Sequence, residues 1–103
     1  MQFDELWQPL PGSAFHAVSS SGEIRVIGRG GRILRQNLVD NQAVVTITKT
    51  PGSTKYFQTV KEAVMTAFGD PYNPETETII HLDDNPMNCA IENLAIVHRQ
   101  NGG

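Results

Sequence analysis

Four arginines, Arg25, Arg29, Arg32 and Arg35, fall within eleven consecutive positions, interleaved with glycines at 28, 30 and 31. A guanidinium holds a phosphate through two parallel hydrogen bonds. Glycine lets a backbone approach such a group closely. The segment therefore reads either as a phosphate-contacting loop or as a solvated hairpin loop. A second group is His81-Leu82-Asp83-Asp84-Asn85-Pro86. The carboxylates of Asp83 and Asp84 are hard oxygen donors suited to magnesium. Asp-Asp-Asn-Pro is equally a turn composition, in which such side chains hydrogen-bond nearby backbone. Cys89 is the only cysteine, so neither an internal disulfide nor a multi-cysteine zinc cluster can form. It reads as a small buried hydrophobe rather than a nucleophile. His16, His81 and His98 lie too far apart in the chain to suggest a structural zinc site.

The elements that must carry these residues change type near position 60. Before it, short strands alternate with turns. Phe15, Ala17 and Val18 end at Ser19-Ser20-Ser21-Gly22, a turn signal. Ile24–Ile27 alternates as a strand with one wet face, and 43–48 is β-branched. Pro51-Gly52-Ser53 joins 43–49 to 54–59 as a hairpin. Val60, Ala63, Val64, Ala67 and Phe68 recur at helical spacing. Thr59 and Glu62 form a capping box at the start of that helix, and Gly69 and Pro71 stop it. Thr78–Leu82 reads as a strand, 83–86 as a turn, 87–93 as a helical turn, and 94–97 as a last strand. Trp7, Phe15 and Phe68 are expected in the core.

At 103 residues and 39% hydrophobic content the chain suits one soluble domain with a modest core. Residues 1–61 carry seven Lys/Arg against four Asp/Glu, and 62–103 carry one against seven. A basic first half can face phosphates, whereas an acidic second half repels them unless a cation intervenes. The N-terminus is acidic where a signal peptide would be basic, and no apolar run has transmembrane length. A cytoplasmic location is expected.

Two linked motifs carry a family resemblance. Glu5-x-Trp7, Gly12, Phe15, Val18-Ser19, Gly22 and Ile24-Arg25 resemble the N-terminal motif that accompanies HNH homing endonucleases, with Ser20 where Asn is usual. Val60 to Phe68, then Ile80-His81-Leu82-Asp83-Asp84-Asn85, Asn88, Glu92-Asn93-Leu94 and Val97 resemble the family's V-H-R-L-V-A-x-x-F, N/D-H-x-D-G-N, N-N and E-N-L-x-W-V. The resemblance implies an α+β fold with an antiparallel β-meander, a central helix and a truncated ββα-metal (HNH-like) hairpin. It divides one compact domain into a β-rich homing-endonuclease-associated region, 1–58, and a degenerate HNH-like region, 59–103. It also implies that His81 is the general base and that Asn88 and Asn93 pin the loop.

Several departures from that pattern bear on chemistry. The residue before the His is normally a metal ligand, and here it is Ile80, which has no donor atom. The other ligand belongs on a helix after the last strand, and the chain stops as that helix should begin. Asn101 stands one residue early, Gly102 falls on the position itself, and the two terminal glycines oppose a helix. Lys61 replaces the first family His. The resulting expectation is a phage-type HNH-endonuclease-like protein, catalytically impaired, that binds DNA or a host protein acting on nucleic acid. Arg25, Arg29, Arg32 and Arg35 would contact DNA. Magnesium or manganese would not be held tightly. One alternative is an active magnesium-dependent nicking endonuclease, with Asp83 or Asp84 as substitute ligands. Another is a protein-binding inhibitor of a host nucleic-acid enzyme, whose acidic 62–92 segment mimics nucleic-acid charge. A dimer could supply the missing helix residues in trans.

Overall fold

The computed structural model describes residues 5–48 and 55–99, with the side chain of Arg29 outside that description. The expected turn at Pro51-Gly52-Ser53 and the positions Asn101 and Gly102 also lie outside the described residues. The first sheet is β1 (Trp7–Pro9), β2 (His16–Ser19) and β3 (Ile24–Val26) in that order. The second is β4 (Asn37–Val39), β5 (Gln42–Thr48) and β6 (Lys55–Thr59). Helix α1 (Val60–Phe68) follows β6 directly, and β7 (Glu77–His81) pairs with β8 (Leu94–His98) as an antiparallel hairpin. The architecture is α+β, with antiparallel strands throughout the described pairings.

Chemistry close to the chain explains most of these elements. β4 and β5 join through Asp40-Asn41, with φ of 50° and 62° and Val39 facing Gln42. Asp and Asn enter the left-handed region more readily than other side chains, and two such residues make the tight turn that strand twist favours. In α1, Val60, Ala63 and Val64 fall on one face and are buried with Met65. That face packs on β2, β5 and β6. The core joins Leu10, Val18 and Ile24 of the first sheet region to Val45 and Ile47 of the second, and to Ile79, Cys89 and Leu94 around the hairpin. Halves of opposite charge thus share one apolar interior.

Three local expectations are corrected. The Thr59 side chain makes no cap bond, and its Oγ1 is buried without a partner among the described residues. Thr59 is also the last residue of β6, paired with Val44, so the sheet ladder sets its side-chain direction. Phe15 is 47% exposed, because it lies in the turn before β2 rather than on the strand. Trp7 is half-buried at the start of β1 and is not part of the core cluster. Phe68 is partly buried and does pack against the core.

Gly22 locks the first sheet to the hairpin loop. Its φ is +95°, and a Cβ there would sit 2.8 Å from the Cys89 carbonyl carbon and 3.0 Å from its oxygen. Alongside, the Ile91 N–H donates to the Ser20 carbonyl at 2.8 Å. Ser21 Oγ also donates to the Glu5 carboxylate, and Leu6 N–H to Ser20 Oγ at 3.1 Å, so the entry to β1 is fastened to the same turn.

Candidate functional site

β7 delivers His81 at its C-terminal end, opposite Leu94. Strand alternation buries Ile79 and leaves Ile80 39% exposed, while Ile79, Ile80 and His81 all border one depression at the end of β7. The His81 Nε2 lies 3.6 Å from Cys89 Sγ, which is itself 3.5 Å from the Pro86 carbonyl oxygen. Burial lowers the imidazole pKa, the Lys61 ammonium lowers it further, and Asp83 opposes both. A neutral imidazole at physiological pH is the consequence, and that form can accept a proton. Burial pushes the Cys89 thiol up to about 11, so it remains protonated.

The loop after His81 is built around Asp83. Its Oδ1 accepts from the Asn85 N–H at 2.8 Å and from Asn93 Nδ2 at 2.9 Å, and its Oδ2 accepts from Asn88 Nδ2 at 2.9 Å. Asn93 also accepts the Asp83 N–H through Oδ1 at 3.2 Å and donates to the Asn88 carbonyl at 2.9 Å. These amides tie position 83 to 88 and 93, beside the backbone bond from the Leu82 N–H to the Asn93 carbonyl at 2.7 Å. The bonds from Asn88, then Asn93, then the Asn85 backbone hold the Asp83 carboxyl below its ordinary range. Asp84 adopts a left-handed φ of 60° and its N–H donates to the His81 carbonyl at 3.0 Å.

His81 and Asp84 line an open depression of about 230 Å³ with Asn41, Lys61, Ile80 and Pro86. Lys61 reaches in from the first turn of α1, with Nζ 3.5 Å from the Ile79 carbonyl oxygen. Ile80 offers no ligand, and three of the four lone-pair sites of Asp83 are taken by N–H donors. No three His, Cys, Asp or Glu side chains converge on one point among the described residues. Lys61 moreover places a positive charge in the depression itself. The residues present do not fit a resident magnesium-type ion.

The arginines stand on a separate feature. After β3 the chain turns through Gly28, Gly30 and Gly31, whose φ values are 110°, 74° and 53°. It then returns beside β3, with Val26 N–H donating to the Arg32 carbonyl at 2.9 Å and Leu34 N–H to the Ile24 carbonyl at 2.8 Å. Arg25 stacks over the Trp7 ring, 4.2 Å from its centroid. Arg32 and Arg35 are exposed, and neither is ion-paired among the described residues. This turn lies at the far end of β3 from Gly22 and the Cys89 loop.

His81, Asp83, Asp84, Asn88 and Asn93 thus gather on one hairpin, with the arginines apart from them. Lys61 is the site residue that sequence reasoning missed as a contributor. It was visible only as a departure from a motif, because nothing in linear spacing joins position 61 to position 81. The pairing of Arg25 with Trp7 was also missed, and the acid and aromatic of the first motif gave no sign of it.

No protein-family model and no curated protein matches the chain. A solved structure, described as DNA binding and cleavage by the HNH homing endonuclease I-HmuI, superposes with a TM-score of 0.76 at 23% identity. The chain has an HNH-endonuclease-like fold. The likeness covers 89% of this chain and 52% of that one, so the chain spans about half the length of the protein it resembles. No helix of the described residues is long and apolar enough to cross a membrane.

Proposed function

We propose that the chain is a DNA-binding protein of HNH-endonuclease type whose cleavage centre is impaired. The observation that carries this reading is the state of the two positions around His81. Ile80 presents a hydrocarbon where an anionic ligand would be needed, and Asp83 is occupied in holding the loop. A neutral His81 can take a proton from water, but attack on a phosphodiester also needs positive charge at the leaving oxygen. The DNA part of the reading is supported by the fold shared with a DNA-cleaving enzyme and by the exposed Arg32 and Arg35 beside Arg25. Magnesium or manganese binds weakly at most.

The test is a supercoiled-plasmid nicking assay with manganese on wild type, Ile80→Asp and His81→Ala, beside duplex binding measured at low salt. The expected result is duplex binding, no useful wild-type nicking, and a gain of metal affinity with weak nicking in Ile80→Asp. Binding should weaken similarly on all sequences in Arg32→Ala and Arg35→Ala, since phosphate contacts position without reading bases. Robust wild-type nicking abolished by His81→Ala would establish the active-nickase alternative. Absence of any duplex binding would leave a host protein acting on nucleic acid as the partner.

A further inference from the structure

The impaired centre contains a charge that a metal-dependent reading does not use. Lys61 is half-buried and reaches β7, yet no carboxylate is ion-paired with it among the described residues. Its one polar contact among them is the long bond to the Ile79 carbonyl, which engages a single proton of three. It lines the His81 depression and also a second one, of about 260 Å³, whose other charged residues are Arg99 and Glu62. Arg99 is oriented by a 3.0 Å bond from its Nε to the Pro74 carbonyl. Lys61 and Ile79 line both depressions, so the Lys61 side chain stands between them.

From this geometry we infer that Lys61, with His81 beside it, holds one nucleic-acid phosphodiester in the depression they both line, without any metal ion. The inference rests on the DNA-binding reading and assigns it a contact away from the arginine turn. An ammonium with two free protons is a point donor for phosphate oxygen. The neighbouring neutral imidazole has one ring N–H to offer as a further donor, and Asn41 lines the same depression. Asp84 lines it too, and its carboxylate repels a phosphate there. That repulsion gives opposite expectations for the two chemistries. If a metal carried the phosphate, Asp84 would help. If Lys61 carries it, Asp84 hinders.

The experiment measures short-duplex binding in EDTA by fluorescence anisotropy across a salt series, on wild type, Lys61→Gln, Lys61→Arg and Asp84→Asn. Gln removes the charge but keeps a polar side chain with part of the aliphatic stem, and equilibrium unfolding of each variant checks that the fold is retained. The expected slope of log affinity against log salt falls by about 0.9 in Lys61→Gln, the share of one phosphate contact, and stays near wild type in Lys61→Arg. Asp84→Asn tightens binding severalfold. A parallel NMR titration with dimethyl phosphate should move the His81 ring signals saturably in wild type and not in Lys61→Gln. An unchanged slope in Lys61→Gln, weaker binding in Asp84→Asn, or His81 signals indifferent to dimethyl phosphate would each overturn the inference. If no duplex binds but dimethyl phosphate still moves His81 through Lys61, the DNA-binding reading fails and the phosphate site stands.

Discussion

Replacing Gly22 by alanine should destabilise the protein by about 3 kcal/mol, and the structure supplies a control that separates the two causes. Gly22 and Gly12 have similar positive φ, +95° and +84°. A Cβ at either must occupy the left-handed region, at roughly 1–2 kcal/mol. At Gly12 the added methyl meets nothing within 4 Å, whereas at Gly22 it strikes the Cys89 backbone at 2.8 Å. A peptide group cannot swing aside as a side-chain tip does, so the hairpin loop itself must shift, adding about 1–3 kcal/mol. Gly12→Ala should therefore cost about 1 kcal/mol and Gly22→Ala about 3, out of a total near 5–15 for a domain of this size. Denaturant unfolding at equilibrium reads both, with the difference appearing in the midpoint at constant slope. The strained loop also carries Asn88 and Asn93, so their side-chain amide resonances should move in Gly22→Ala and stay in Gly12→Ala. Equal destabilisation of the two variants within about 0.5 kcal/mol would refute the idea that a backbone contact, rather than conformation alone, requires glycine at 22.

Three further outcomes are expected. Because hydrogen bonds hold the Asp83 carboxyl below its usual value of 3.8, its stabilisation is fully present above that value. It is lost as pH falls through the lower folded pKa. Asp83→Asn should flatten the acid limb of the denaturation-midpoint profile, and an unchanged limb would count against Asp83 as the hub of the loop. With its thiol pushed up to about 11 and buried, Cys89 should react with a disulfide reagent near pH 8 at least about a hundredfold more slowly in the native protein than in denaturant; a native rate within tenfold of the unfolded one contradicts the burial. Thr59→Val removes an oxygen that has no partner among the described residues and keeps the shape, so it should be neutral or stabilising by about 1 kcal/mol in thermal unfolding. A loss of that size would mean that the hydroxyl is bonded after all.

Local chemistry made much of the framework legible. The apolar face of α1 recurs at helical spacing, and Val60–Phe68 is a helix with those bounds. The β-branched run at 43–48 became β5, and its partner came from the next strand-like stretch, at Lys55–Thr59. Strands β1 and β4 escaped notice because both are three residues long, too short for a period of two to show. For β4 the signal was Asp40-Asn41, whose tolerance of positive φ is a property of the residues themselves. The capping box was not realised: Thr59 has the extended backbone of an N-cap, but its side chain makes no bond to the helix.

The sequence by itself determined the helix, most of the strands, and that the acids and amides after His81 would form a turn. Those are properties of side chains and of their nearest neighbours along the chain. It did not determine what each acid does. Asp83 and Asp84 are adjacent and chemically identical, yet one carboxylate is enclosed by Asn85, Asn88 and Asn93 while the other lines an open depression. Nor did it join Lys61 to His81 or Gly22 to Cys89. Those encounters arise when α1, the first sheet and the hairpin close on a shared core, and electrostatics and steric contact depend on distance in space rather than on separation along the chain.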